Sequence, residues 1–205
     1  MIDLYTAATP NGQKAHLMLE ELGIPYKLHK VNLKDLEQKK PEFLAMNPNG
    51  RIPVMVDHEG PNKKEVTVFE SAAILYYLAE RHHKFGGHHL EEKAQIMQWM
   101  MYQMSAVGPM FGNYYFGKTS LKPENPGFIE RFEKESKRII TVLETQLGRH
   151  TYFAGSEYTI ADMCMFFWIN NFFKANPDWF AATPGIRRWI GQVAERPAVQ
   201  KVLQA

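Results

Sequence analysis

The spacing of apolar and polar positions changes character once along the chain. Over roughly residues 1–80, short apolar runs alternate with helical spacing. Ile2 to Tyr5 is strand-like, and Ala15, Met18, Leu19 and Leu22 then recur at the spacing of one helix face. Gly23 follows as a left-handed helix terminator, and Tyr26 to Leu33 resumes an extended pattern. This is a β-α-β unit, so the two strands are expected to be parallel with a right-handed crossover. "PEFLAM" (41–46) predicts a short helix opened by its proline. "RIPVMVD" (51–57) and "EVTVF" (65–69) predict two strands, and the turn-rich "HEGPNKK" between them suits an antiparallel hairpin. "ESAAILYYLAE" (70–80) predicts a helix with Ile74, Leu75 and Leu78 inward and Ser71 as its N-cap. The predicted order is β-α-β-α-β-β-α.

From about residue 90 the pattern is helical only. Residues 91–107 and 128–147 are long helical stretches, the second with Phe132, Ser136, Ile139, Leu143 and Leu147 on one face. "YTIADM" (158–163) is a helix start in which Thr159 caps and Asp162 completes a capping box, with Tyr158 and Met163 as a hydrophobic staple. Pro184 opens a short helix through Glu195, and Pro197 interrupts it before a last turn. "HHKFGGHH" (82–89) joins the two regions, and its Gly-Gly pair suits a connector. The expected organisation is an α/β domain over 1–81, a linker over 82–89 and an all-α domain over 90–205.

Composition narrows the function classes. The 205 residues are 45% apolar with a net charge of +2, and the lysines and arginines cluster only in pairs such as Lys39-Lys40. No concentrated basic footprint points to nucleic acid. The longest apolar run, Met163 to Ile169, is far too short for a membrane span. Cys164 is the only cysteine, which fits a reducing compartment and a cytoplasmic protein. It lies in the apolar "ADMCMFFW", where burial shields a thiol, so a structural role is expected. The four histidines of the linker raise a zinc hypothesis, but a Gly-Gly segment does not supply fixed tetrahedral geometry, and no metal is expected.

Three motifs carry candidate chemistry. In "RIP", Pro53 restricts Ile52 to extended backbone; a cis Ile52–Pro53 bond would turn the Ile52 N–H and C=O toward a peptide-like ligand. An ordinary edge-strand proline is the alternative, since cis is only ~5–6% of X–Pro bonds. In "FES", Glu70 is an acceptor for an ammonium, while the Ser71 hydroxyl and the helix N-terminus favour a carboxylate. Together they suit an α-amino acid head group, with a plain capped helix as the alternative. The third motif, "TAATPNGQK" (6–14), joins a strand to a helix without a Cys, His or carboxylate.

"NPNGRIPVMVD" (47–57), "VFESAAILYYLAE" (68–80) and "TIADM" (159–163), in that order, resemble cytosolic glutathione transferases over essentially the whole chain. "IDLYTAATPNGQK", "KKPEFLAMNPNGRIPVMVDH" and "GPMFG" are most similar to the bacterial Nu-class members, which bind glutathione and act as disulfide-bond reductases. The resemblance implies a thioredoxin-like first domain and an all-helical second one, glutathione as bound co-substrate, and a homodimer. It implies that Glu70 and Ser71 hold the γ-glutamyl end, and that Ile52, beside a cis-Pro53, pairs with the cysteinyl unit. Gln38 and Arg51 would approach the glycine carboxylate, with Arg51 standing where relatives often have Lys. Thr9 and Asn11 would face the sulfur, and Arg131 would reach the ligand of the partner subunit.

Tyr5 is a second candidate for holding the thiolate, but it lies inside the strand pattern and a packing role is expected. Making a thiolate dominant at neutral pH requires lowering a thiol from ~8.5 by about two units, or ~2.7 kcal/mol. A hydrogen bond to a charged group contributes ~1.5–3 kcal/mol and a helix N-terminus roughly 0.3–1. Thr9, Asn11 and the following helix therefore suffice on magnitude. The expected activity is glutathione-dependent disulfide reduction in which glutathione supplies the sulfur. Conjugation of glutathione to small electrophiles and non-catalytic glutathione binding are the alternatives. Tyr102, Met110 and Tyr114 are candidates for the wall of the second-substrate site.

Overall fold

The computed structural model describes residues 1–205. It divides into two compact units, Met1–Gly86 with Glu195–Ala205, and Gly87–Ala194. The division falls inside the 82–89 segment. Residues 195–205, read from sequence as part of the second domain, belong to the first unit.

The first unit is thioredoxin-like. Its strands are β1 (Ile2–Thr6), β2 (Tyr26–Lys30), β3 (Val54–Asp57) and β4 (Val66–Phe69), in the order β2-β1-β3-β4. β1 and β2 are parallel, as the intervening helix α1 (Pro10–Leu22) requires; β3 is antiparallel to both β1 and β4. β3 is central and buried at all four positions, so it reads as a continuous apolar run closed by Asp57. The Asp57 carboxylate is buried, accepting from Tyr77 Oη at 2.9 Å and pairing with Arg81 Nε at 2.9 Å. Both partners stand on α3 (Ser71–His82), so this pair fixes α3 to the end of β3. α1 and α3 pack on each other and on the sheet, while α2 (Pro41–Met46) lies on the β2–β3 connection. Gly23 ends α1 at φ 65°, its N–H donating to the carbonyls of Leu19 and Glu20.

The last helix, α9 (Pro197–Gln204), packs on α1. Lys201 Nζ donates to Glu20 Oε2 at 2.7 Å, and Arg196 forms a two-pronged pair with Glu21 at 2.6 and 2.8 Å.

The second unit is all-helical: α4 (Leu90–Tyr102), α5 (Gly108–Thr119), α6 (Pro126–Leu147), α7 (Ile160–Ala175) and α8 (Pro184–Ala194). The helix expected over 91–107 continues to 119, through a π-helical turn at Gln103–Val107. Pro109 explains the turn: it has no N–H to donate, and its ring would collide with the carbonyl four residues earlier in a regular helix. α7 is the core of this unit. The predicted capping box is present: Asp162 accepts from the Thr159 N–H at 3.0 Å while Thr159 caps the helix. The same buried carboxylate accepts from Phe153 N at 3.1 Å and Trp189 Nε1 at 2.8 Å. It thereby ties the loop before α7 and helix α8 to one point.

Candidate functional site: one edge of the four-stranded sheet

Strand register brings the three motifs together. Tyr5 of β1 stands opposite Val54 of β3, and Val54 stands opposite Phe69 of β4. The loop leaving β1 leads to Thr9, the segment entering β3 is Arg51–Ile52–Pro53, and the chain leaving β4 is Glu70–Ser71. All three lie at the same end of the sheet.

Thr9 caps α1. Its Oγ1 accepts from Gly12 N–H at 3.2 Å, and its backbone is extended, with φ −118° and ψ 158°. A hydroxyl accepts and donates at once, so the Thr9 proton is directed away from Gly12. Gly12 is required by space: a Cβ there would lie 2.1 Å from the Ala7 carbonyl oxygen. Asn11 follows as the second residue of α1 and is half-buried. The positive end of this helix therefore opens beside a hydroxyl and an amide. Tyr5 has a packing role: its ring stacks on His29 at 4.3 Å between centroids, and burial pushes its phenol pKa up. Cys164 is fully buried in α7 of the other unit, with Sγ donating to Gln103 Oε1 at 3.5 Å.

The Ile52–Pro53 bond is cis. The Ile52 amide and carbonyl make no hydrogen bond within the chain. The loop before it is braced by Asn47, whose buried side chain donates from Nδ2 to the Arg51 carbonyl at 2.7 Å and accepts from Asn49 N–H at 3.0 Å. Gly50 takes φ 59° beside the Gln38 backbone; a Cβ there would lie 2.9 Å from the Gln38 carbonyl oxygen. Gln38 is thus adjacent to the 50–52 segment, and its Oε1 is buried without a hydrogen-bond partner. The Arg51 side chain is exposed.

Ser71 is not the N-cap of α3 but its first residue; Glu70 stands at the cap position and makes no side-chain capping bond. Glu70 adopts φ 70° and ψ 119°, outside the regions ordinary residues populate. Such backbone strain costs on the order of 1–3 kcal/mol and clusters at ligand sites. Here it turns the chain sharply between β4 and α3. Ser71 is 2% exposed, and its Oγ accepts from Lys14 Nζ at 3.4 Å. Lys14 is itself fully buried.

Asn47 and Lys14 are the site-supporting residues that motif reading passes over. The "NPNG" turn signals Asn47 only weakly. Lys14 stands four residues before Met18, on the flank of the α1 apolar face, and that register is its one sequence signal.

Arg131 lies on α6 in the second unit, in a groove of about 540 Å³ lined by Met110, Arg131, Phe132, Lys134, Glu135 and Arg138. Met110 shares that groove. Tyr114 does not belong to a wall: it is 7% exposed and packs on Phe172 and Trp179. No group of three or more His, Cys, Asp or Glu side chains is arranged to hold a metal ion. In the 82–89 segment, the His88 and His89 amides instead donate to Glu92 Oε2 at 2.6 and 3.4 Å.

A thioredoxin-like sheet with a cis-proline at the start of its central strand β3, and a separate all-helical unit, define a class of protein. Residues 8–81 match the glutathione S-transferase N-terminal domain and residues 100–197 the C-terminal domain. The chain belongs to the glutathione transferase family. It is 39% identical to the disulfide-bond oxidoreductase YfcG of Escherichia coli (strain K12), covering 99% of this chain and 94% of the relative. It is 36% identical to the disulfide-bond oxidoreductase YghU of the same organism, covering 98% and 73%. Among solved structures, a glutathione transferase from Burkholderia graminis with two glutathione molecules per subunit has a TM-score of 0.95 at 36% identity, covering 100% of this chain and 88% of that one. One from Pseudomonas putida with one glutathione disulfide per subunit has a TM-score of 0.94 at 36% identity, covering 99% and 90%.

Proposed function

We propose that this chain is a glutathione-dependent disulfide reductase in which bound glutathione, not a protein cysteine, supplies the reacting sulfur. The observation that carries the reading is the Thr9–Asn11 cap at the shared sheet edge, while the only cysteine is fully buried in the other unit. The relatives named disulfide-bond oxidoreductases and the neighbours holding two glutathiones or one glutathione disulfide support it.

In this reading Glu70 accepts from the γ-glutamyl ammonium, and Ser71 with the α3 N-terminus holds its carboxylate. The unpaired Ile52 amide and carbonyl add the cysteinyl unit as an extra strand beside Pro53. Gln38 and Arg51 hold the glycine carboxylate. Thr9 donates its proton to the sulfur, and Asn11 with the positive end of α1 adds to the field. The thiolate attacks one sulfur of a small disulfide, forming a mixed disulfide and expelling a thiolate. A second glutathione thiolate then attacks the glutathione sulfur, releasing glutathione disulfide and the second thiol. The protein is neither oxidised nor reduced.

The finer picture is a cytoplasmic homodimer in which Arg131 and its groove meet the partner subunit's ligand. Three cations and one carboxylate line that groove, which suits an anionic peptide disulfide. Parallel assays test the activity: the reading expects glutathione-dependent turnover of a small disulfide well above conjugation of a chloroaromatic acceptor. Conjugation without disulfide turnover would assign the chain to the conjugating transferases instead.

A further inference from the structure

Thr9, Gln13, His16 and Glu20 recur at i, i+4, i+7 and i+11, so they share one face of α1. That face borders a cavity of about 250 Å³ whose lining residues all belong to the first unit. Ala7, Ala8 and Gly12 line it beside Thr9: the Ala7 carbonyl accepts from Thr9 N–H at 2.7 Å, and Gly12 N–H donates to Thr9 Oγ1 at 3.2 Å. Leu28 of β2, Val31 just after it and Val202 of α9 supply apolar walls. The volume is below the ~300–1,000 Å³ of pockets that take a whole drug-sized ligand, so it suits one short arm of a molecule and not a second glutathione.

His16 gives this cavity one directed polar atom. It is 6% exposed, and its Nε2 lies 2.7 Å from Tyr26 Oη. Tyr26 donates its own proton to Glu20 Oε1, and Glu20 Oε2 accepts from Lys201 of α9. The Tyr26 oxygen is therefore the acceptor toward His16, and His16 Nε2 carries the proton. Burial holds the His16 pKa below its ordinary value, so the ring is neutral at pH 7 and Nδ1 keeps a lone pair. Nε2 is the nitrogen bonded within the chain, which leaves Nδ1 to accept from a ligand. Lys30 is the one cation lining the cavity; its ammonium is exposed and donates to the Ala205 carbonyl at 2.8 Å. No side-chain carboxylate lines it.

We propose that this cavity seats one arm of the disulfide substrate: a short, uncharged, mainly aliphatic chain whose hydrogen-bond donor, such as an amide N–H, gives to His16 Nδ1. The inference rests on the reading of the chain as a disulfide reductase and adds the substrate class to it. The chemical step is unchanged: the glutathione thiolate bonds to one sulfur, and the electron pair of the broken S–S bond leaves with the other as a thiolate.

The test compares N,N′-diacetylcystamine with its ester isostere, bis(2-acetoxyethyl) disulfide, which lacks only the N–H donor. Rates are divided by those of uncatalysed exchange with glutathione. Wild-type protein is expected to prefer the amide in kcat/KM by about fivefold, the size of one neutral hydrogen bond. His16→Phe keeps the ring volume and removes the acceptor; it is expected to bring the ratio close to one while glutathione affinity by calorimetry stays the same. Val31→Phe narrows the cavity from another wall and serves where His16→Phe folds poorly. It is expected to lower kcat/KM for both acetylated disulfides roughly tenfold and to leave turnover of dimethyl disulfide, whose arm is a single methyl, unchanged. A wild-type ratio of one, a ratio unchanged in folded His16→Phe, or a Val31→Phe loss equal for all three disulfides overturns the proposal. Preference for the dianion 3,3′-dithiodipropionate over the amide also overturns it, because the cavity would then answer to Lys30 and not to His16. If wild-type protein binds glutathione but turns over no disulfide, the reductase reading itself falls and takes the inference with it.

Discussion

In the proposed mechanism Thr9 has two roles through one oxygen. Its Oγ1 accepts from Gly12 N–H and so caps α1, while the same hydroxyl keeps a proton to give. Removing the hydroxyl should therefore raise the pKa of bound glutathione by about one to two units, the equivalent of a hydrogen bond to a charged group. Titration of the thiolate absorbance of the complex checks this, and an unchanged titration in Thr9→Ala removes Thr9 from the mechanism. Asn47 acts at one remove. It holds the Arg51 carbonyl and the Asn49 amide, so Asn47→Ala is expected to cost roughly 1–3 kcal/mol in urea unfolding. It should also raise the KM for glutathione more than it lowers kcat, because it loosens the segment that presents Ile52 and not the atoms that react. The turn at Glu70–Ser71 and the start of α1 at Thr9 are legible as local structure, whereas the ligand roles proposed for them come from the family resemblance. Asn47 and Lys14 were not legible, since their importance comes from burial and partners that depend on folding. Ser71 was misplaced by one helical position because the unusual backbone of Glu70 carries no composition signal.

The elements show where pattern is informative and where it stops. The end of α1 and the starts of α2 and α7 rest on chemistry that reads directly: a left-handed glycine, a proline and a capping box. The run through Gln103–Val107 resisted, because a π-turn keeps a nearly helical apolar spacing and differs only in hydrogen-bond register. At the start of α7, Asp162 is more than a cap. Burial pushes its carboxyl from 3.8 up to about 6, while hydrogen bonds from Phe153, Thr159 and Trp189 oppose that rise. Between roughly pH 4 and 6 the folded protein keeps a proton that the unfolded chain has released. By linkage this group's contribution to stability grows as pH falls through that window and is smallest above it. The expected size is about 3 kcal/mol. Denaturant midpoints of wild type and Asp162→Asn, compared from pH 7 to 4, should diverge in favour of wild type as pH falls. Parallel curves would contradict the raised pKa.

At the scale of the whole molecule, chain order and spatial order part company once. Residues 195–205 return to the first unit through Lys201–Glu20 and Arg196–Glu21, and contacts between residues some 175 positions apart leave no local pattern. The change in periodicity near residue 90 lies close to the division between Gly86 and Gly87. The central claim also belongs to this scale, because it concerns which sulfur reacts in a chain with a single cysteine. Cys164→Ala should fold, since it removes one small, fully buried sulfur that donates to Gln103 Oε1 at 3.5 Å. Glutathione-dependent reduction of a small disulfide by this cysteine-free protein measures the claim directly. Activity close to that of wild type is the predicted result; abolished activity in a variant shown by circular dichroism to be folded would contradict it.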